Sequence, residues 1–137
     1  MIIGMNPYFT FDGKAGEAAA FYEKALGAEV IERQTYGEVE GMELPPGTES
    51  LIMHAYLKIK DMEIMLSDTL PGAPDQQQLS GSLVSIALSV NDASSAAKTF
   101  HALEPGGEII MPLAETFFSS SYGQLKDQFG VFWHIVV

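Results

Sequence analysis

The sequence predicts an α+β protein, because two segments of the chain repeat each other and each combines one helix with several strands. Residues 18–32 (AAAFYEKALGAEVIE) match residues 97–111 (AKTFHALEPGGEIIM) without a gap, and Phe21 aligns with Phe100 at an offset of 79 (100 − 21). Helically spaced apolar residues in each copy, followed by alternating ones, indicate a strand, a helix and further strands. We therefore expect two βαβββ modules that form a curved, mostly antiparallel sheet.

The first module begins with a predicted strand at residues 6–11 (NPYFTF), which precedes an amphipathic helix. Gly27 stands where a left-handed cap ends many helices. Three further strands are predicted at residues 28–37, 50–60 and 62–68. The apolar helix positions, which recur at a spacing of three or four residues, are Ala18, Phe21, Tyr22, Ala25 and Leu26.

The second module repeats this order, starting from a strand at residues 83–90 (LVSIALSV). Asn91 or Asp92 is expected to cap its helix, and Gly106 occupies the position that matches Gly27. The apolar positions of this helix are Ala93, Ala96, Ala97, Phe100 and Leu103, and the strands that follow are predicted at residues 107–113, 121–126 and 131–137.

Between the modules lies a stretch rich in Pro, Gly and Gln, residues 69–81 (TLPGAPDQQQLSG). Such a composition is typical of a connection, and it is short enough to join two halves of one domain. We predict a single domain, residues 1–137, that consists of modules 1–68 and 82–137 with 69–81 as the linker. A trough between the paired modules would be the natural place for a ligand.

Composition indicates an acidic globular protein. The chain has 137 residues, 47% of them hydrophobic, and 18 Asp and Glu against 7 Lys and Arg give a formal net charge of −11. Nucleic acids and anionic membranes are not expected partners, because both require clustered basic residues. The start (MIIGMNPYF) lacks the features of a signal peptide and cysteine is absent, so we expect a cytoplasmic, bacterial-type protein without disulfides.

Three segments resemble the PhnB-like family of the vicinal oxygen chelate superfamily, which includes glyoxalase I, bleomycin-resistance proteins and extradiol dioxygenases. They are NPYFTFDGKAGEAAAFYEKALGAE, MHAYLKIKDMEIMLSD and EPGGEIIMPLAETFFSSSYGQLKDQFGVFWHI. The resemblance implies the glyoxalase/bleomycin resistance fold and a homodimer. A methyltransferase, a label sometimes given to this branch, is not expected, because no Gly-rich strand-to-helix loop is present for S-adenosylmethionine.

The resemblance also implies four positions for a divalent metal, two in each module. They fall on His134, Met65, Ser85 and Asn6, with Pro7 or Tyr8 as alternatives to Asn6. Only His134 is a strong donor, whereas Zn²⁺ or Ni²⁺ requires about three. We therefore expect no resident cofactor. The alternative is a divalent metal held by His54 and His134 together with Asp68 or Glu115.

Without a metal, any catalysis would depend on acid and base groups, for which the candidates are His54, His134, Glu115 and Asp68. Each has a structural alternative. His134 in an apolar strand is tolerated if its ring is hydrogen-bonded, and Asp68 or Glu115 could stabilise a turn. His101 on the second helix reads as an ordinary surface histidine.

Aromatic residues gather in the opening strand and in the last third of the chain. In the last strand, Phe132 and His134 point to one side and Trp133 and Ile135 to the other, so one pair should face the trough and the other the helix. Core packing is an equally simple use of these rings. The ligand-binding candidates are Tyr8, Met65, Ser85, Phe117, Phe132 and Trp133.

Three functions follow from these observations. The first is a PhnB-like protein that binds a small, partly apolar molecule in an aromatic trough. The second is a metal-dependent lyase or dioxygenase of the superfamily. The third is a drug-sequestering resistance protein, in which the acidic surface would attract a cationic drug.

Overall fold

The computed structural model describes residues 1–73 and 83–137. The chain divides into two compact units, Met1–Gly81 and Ser82–Val137. Residues 74–81 of the predicted linker lie outside the described ranges, and the assignment of one domain with linker 69–81 stays a prediction. Within the described ranges no helix has the length and apolar character needed to span a bilayer.

The first unit is a four-stranded sheet with one long helix. Its strand order is β1-β4-β3-β2, with β1 parallel to β4 and the other neighbours antiparallel. The elements are β1 (Tyr8–Phe11), α1 (Ala15–Leu26), β2 (Glu29–Thr35), a 3₁₀ turn (Tyr36–Glu38), β3 (Ile52–Ile59) and β4 (Met62–Asp68).

The second unit has the same plan. Its strand order is β5-β8-β7-β6, with β5 parallel to β8 and the other neighbours antiparallel. The elements are β5 (Ile86–Ser89), α2 (Ala93–Leu103), β6 (Glu108–Ala114), β7 (Tyr122–Lys126) and β8 (Phe132–Val136).

The duplication found in the sequence is confirmed by this topology. β2 (Glu29–Thr35) moved by the offset of 79 gives residues 108–114, which are the bounds of β6. Equivalent strands also occupy equivalent places in the two sheets. The predicted α+β class with two βαβββ repeats is thus confirmed.

The core of each unit lies between its helix and one face of its sheet. In the second unit, a Cβ added at Gly123 would lie 2.9 Å from the ring of Phe100 on α2, so this side of β7 faces the helix. Trp133 and Ile135 lie on the same side, because they pair with Leu125 and Gly123, and both are fully buried. In the first unit the buried residues include Ala18 and Tyr22 of α1 and Ala55, Leu57 and Leu66 of the sheet.

Two of the three helix caps predicted from the sequence are confirmed by the structure. Gly27 is the left-handed C-cap of α1, with φ of 66°, and the Asp92 carboxylate caps α2 by accepting a hydrogen bond from the Ser95 amide at 2.7 Å. The prediction for Gly106 is wrong, because α2 ends at Leu103 and its C-cap, Glu104, is right-handed. Proline at position 105 has no N–H to continue the helix, and Gly106, with φ of 75°, lies in the turn that follows.

Candidate functional site

The face of the second sheet that points away from α2 carries most of the polar and aromatic groups of interest. His134 is paired with Gln124 on one side and Ala87 on the other, and cross-strand partners project to the same face. We call this surface the second-unit open face. Its members are Ser85, which directly precedes β5, and Ala87, Tyr122, Gln124, Phe132 and His134.

His134 is hydrogen-bonded at both ring nitrogens. Its Nδ1 lies 2.6 Å from the Tyr122 hydroxyl, and its Nε2 lies 2.9 Å from Oγ of Ser85. The Gln124 side-chain amide donates to the same Tyr122 oxygen at 2.7 Å. The imidazole is therefore the centre of a chain of four polar side chains, all of them uncharged when His134 is neutral.

A row of rings leads from solvent to His134. Ring centroids are 5.1 Å apart for Phe117 and Phe118, 5.0 Å for Phe118 and Tyr122, and 5.9 Å for Tyr122 and His134. Phe117 is fully exposed and Phe118 is 53% exposed. We call these four residues the aromatic strip. Its first two ring pairs are edge-to-face, with interplanar angles of 84° and 70°, so it offers a stepped apolar surface that ends at a polar group.

The ligand-binding candidates Phe132 and Trp133 are neighbours on β8 but project from opposite faces of the sheet. Phe132 lies on the second-unit open face, where the Lys126 ammonium is 5.8 Å from its ring centroid. Trp133 lies on the opposite face, is 1% exposed, and donates its indole N–H to the Asp127 carboxylate at 2.8 Å. Trp133 is therefore part of the core under α2.

The equivalent surface of the first sheet carries His54. We call it the first-unit open face, and its members are Tyr8, His54, Tyr56, Glu63 and Met65. Tyr8 and Tyr56 both pair with Met65 across the sheet. The ring centroid of His54 is 6.0 Å from that of Tyr8 and 5.4 Å from that of Tyr56. A hydrogen bond to the Glu63 carboxylate raises the pKa of Tyr56, because ionisation would place two anions side by side.

The two carboxylate candidates lie in different surroundings. Asp68 is buried, and its two oxygens accept hydrogen bonds from the backbone amides of Ala15 and Ile52, both at 2.9 Å. Glu115 is exposed in the segment that joins β6 to β7. His101 is an exposed helix residue whose Nδ1 lies 3.0 Å from the Glu104 carboxylate.

The residues at the positions implied for a divalent metal do not fit one. The first unit provides the thioether of Met65 and, at the opening strand, an amide or a phenol, all weak donors. The second unit provides the Ser85 hydroxyl and His134, whose nitrogens already bind hydroxyl groups. Across residues 1–73 and 83–137, no three His, Asp or Glu side chains are grouped so that they could hold an ion.

Sequence reasoning missed the partners of the two histidines. Tyr122, Gln124, Tyr56 and Glu63 are not among the site residues that the sequence predicts. A signal for Tyr122 and Gln124 does exist in the sequence. Lys126 pairs with Phe132 across the short turn at Asp127, and two-residue alternation along this hairpin places Tyr122 and Gln124 on the face of His134.

Known proteins resemble the whole of this chain. The model of the Glyoxalase/Bleomycin resistance protein/Dioxygenase superfamily matches residues 4–135. Protein YjdN of Escherichia coli is 30% identical over an alignment of 145 positions, which covers 97% of this chain and 94% of YjdN. Protein PA1353 of Pseudomonas aeruginosa has a similar crystal structure, with a TM-score of 0.87, 32% identity and coverage of 98% of this chain and 97% of that one. A PhnB protein of Bacillus cereus gives a TM-score of 0.81 at 26% identity, covering 98% of both chains.

Proposed function

Because the chain belongs to the glyoxalase/bleomycin resistance protein/dioxygenase superfamily and is a PhnB-like member of it, we propose that it binds a small, planar, partly apolar molecule on the second-unit open face. The observation that carries this proposal is the aromatic strip, which runs from the exposed Phe117 to the hydrogen-bonded His134. The flat part of the ligand would stack on one ring of the strip and meet the edge of the next, and its polar end would reach His134 and its neighbours.

The exposure of the strip supports this proposal on energetic grounds. Phe117 is wholly exposed and Phe118 is 53% exposed, although full burial of such a side chain is favourable by about 1.5–3 kcal/mol. Single exposed apolar residues are common on protein surfaces, whereas adjacent exposed rings are more typical of a surface that binds a ligand or another protein. A planar ligand would bury part of this area and gain ring–ring contacts of about 0.5–1.5 kcal/mol. The homodimer and the cytoplasmic location expected from the sequence remain predictions.

Replacement of Phe118 tests the proposal. Planar aromatic fragments would first be screened by thermal shift, and the best fragment would then be titrated by NMR into the unmodified protein and into Phe118→Ala. We expect roughly fivefold weaker binding in the variant, since about 1 kcal/mol of aromatic contact is lost.

Ile31→Ala is the matched control, because Ile31 is similarly exposed (55%) but lies on β2 of the first unit. Its affinity for the fragment should not change. Equal binding by Phe118→Ala and the unmodified protein, or resonance changes confined to the first unit, would contradict the proposal.

A further inference from the structure

The hydrogen-bond chain at His134 can run in two directions, each of which leaves one hydroxyl hydrogen outside the chain. The Gln124 side-chain nitrogen can only donate, so the Tyr122 oxygen accepts from it at 2.7 Å. In the next contact the Tyr122 O–H is favoured as the donor over an imidazole N–H, because its 2.6 Å distance to Nδ1 of His134 is shorter than the usual N–H···O distance of about 2.7–3.2 Å. A neutral imidazole whose Nδ1 accepts carries its proton on Nε2.

The chain therefore ends at Ser85. The Nε2–H of His134 donates to Oγ of Ser85 at 2.9 Å. The serine oxygen acts as an acceptor in this contact, which leaves its own O–H available, and Ser85 is exposed. Successive hydrogen bonds with the same direction polarise one another, so this hydroxyl is a better donor than an isolated serine.

This direction also concerns the metal position. A cation binds an imidazole nitrogen only through a free lone pair, and here one nitrogen accepts from Tyr122 while the other carries the proton. An ion at Nε2 would have to displace Ser85, and the imidazole proton would have to move to Nδ1, where Tyr122 would become the acceptor.

We infer that the Gln124–Tyr122–His134–Ser85 chain is a hydrogen-bond relay that recognises the oxygen acceptor of a planar ligand at the position where a divalent metal would otherwise bind. The ligand class is an aryl carbonyl compound, with its ring on the aromatic strip and its carbonyl oxygen at the Ser85 hydroxyl. This inference rests on the proposed function, because the strip has to hold the ring next to the relay. Ser85 contacts the carbonyl oxygen, Tyr122 contributes its ring to the strip and its hydroxyl to the relay, and Gln124 is a positioning residue.

Two probes of similar size test whether a carbonyl oxygen on the ligand contributes to binding. Acetophenone carries a carbonyl oxygen and ethylbenzene does not, while both present one phenyl ring. Each would be titrated by ¹H–¹⁵N NMR into the unmodified protein, Ser85→Ala, Ser85→Thr and Tyr122→Phe. The readout is the ratio of the two affinities, and the unfolding free energy of each variant would verify that it is folded.

We expect the unmodified protein to bind acetophenone roughly fivefold more tightly than ethylbenzene, as one added hydrogen bond allows. Ser85→Ala should remove the preference and Ser85→Thr should keep it. Tyr122→Phe should reduce it, because the phenyl ring stays in the strip while the hydroxyl that joins Gln124 to His134 is lost. A merely structural role for Tyr122 would weaken both probes equally.

The outcomes separate the two proposals. If both probes shift the resonances around Phe118 with equal affinity, or if Ser85→Ala keeps the preference, the relay is wrong and the proposed function stands. If neither probe affects residues of the second-unit open face, the proposed function fails and the relay fails with it. Displacement of acetophenone by stoichiometric Ni²⁺ or Zn²⁺ would also overturn the relay.

Discussion

Two buried carboxylates, Asp68 and Asp127, are used to hold backbone segments in place. Asp68 joins the first amide of α1 to the first amide of β3. Asp127 accepts hydrogen bonds from two backbone amides of the turn before β8 and from the indole of Trp133. Both residues are 2% exposed, and a buried carboxylate is tolerated when donors surround it in this way. Asp68, a candidate acid or base by sequence, thus has both oxygens occupied by backbone donors.

Asp127→Asn should destabilise the protein by about 2–3 kcal/mol, because an amide NH₂ would face donors that require an acceptor. The measurement is the free energy of unfolding from urea denaturation followed by far-UV circular dichroism. Asp12→Asn, at an exposed position, is the control and should change stability by less than about 0.5 kcal/mol. Equal stabilities for the two variants would show that the Asp127 contacts contribute little.

Which face of β8 packs under the helix could not be read from the sequence. Alternation places Phe132 and His134 on one face and Trp133 and Ile135 on the other. Each pair contains a large aromatic residue, so the sequence does not show which pair belongs to the core. The structure resolves the choice through Gly123, whose missing side chain makes room for Phe100. One glycine on the neighbouring strand is too weak a sequence signal to decide this.

At the scale of the element, α2 illustrates how a local motif fixes a helix start. Asp92 adopts an extended conformation and its carboxylate accepts a hydrogen bond from the Ser95 amide. This bond, strengthened by the serine side chain, lowers the pKa of Asp92. The ionised carboxylate is therefore the form that stabilises α2.

The contribution of the Asp92 cap to the free energy of unfolding should depend on pH. Because the pKa of Asp92 is lower in the folded state, its contribution is complete above the unfolded pKa of about 3.9 and is lost as pH falls through the folded value. In Asp92→Asn the amide oxygen can cap at any pH. The stability difference between the unmodified protein and this variant, measured by urea denaturation from pH 6 to pH 2, should thus shift in favour of the variant at low pH. A pH-independent difference would contradict the assignment.

Elements were more predictable than contacts between them. The strands and helices follow from apolar spacing and from the offset of 79, and the observed bounds lie within a few residues of the predicted ones. The contacts of His134 depend instead on strand register, because Tyr122 and Ser85 are 12 and 49 residues away in sequence. The short turn at Asp127 gives a signal for Tyr122 through the hairpin register, but no spacing within one segment indicates Ser85.

At the scale of the molecule, two copies of one topology carry different chemistry at equivalent places. Tyr8 pairs with Met65 in the first unit, and Ala87, which is Tyr8 moved by the offset of 79, pairs with His134 in the second. A thioether in one copy therefore corresponds to an imidazole in the other. The superfamily includes proteins that use a metal, but this chain has a single strong donor among the implied positions.

Protein purified without chelator should hold no stoichiometric divalent ion. The reason is that one imidazole with weak neighbours cannot supply the three or so strong donors required. Elemental analysis for Mn, Fe, Ni and Zn would measure the content, and the double variant His54→Ala, His134→Ala serves as the comparison. One equivalent of an ion that disappears in the double variant would revive the metal-dependent lyase or dioxygenase hypothesis.

The divergence of Met65 from His134 has an evolutionary consequence. An assembly built from identical single repeats can only present the same groups twice, related by symmetry. Fusion of the repeats in one gene lets each mutate alone, so that one can lose a reactive side chain while the other retains it. The repeated topology can thereby present two open faces of different chemistry, each suited to its own ligand.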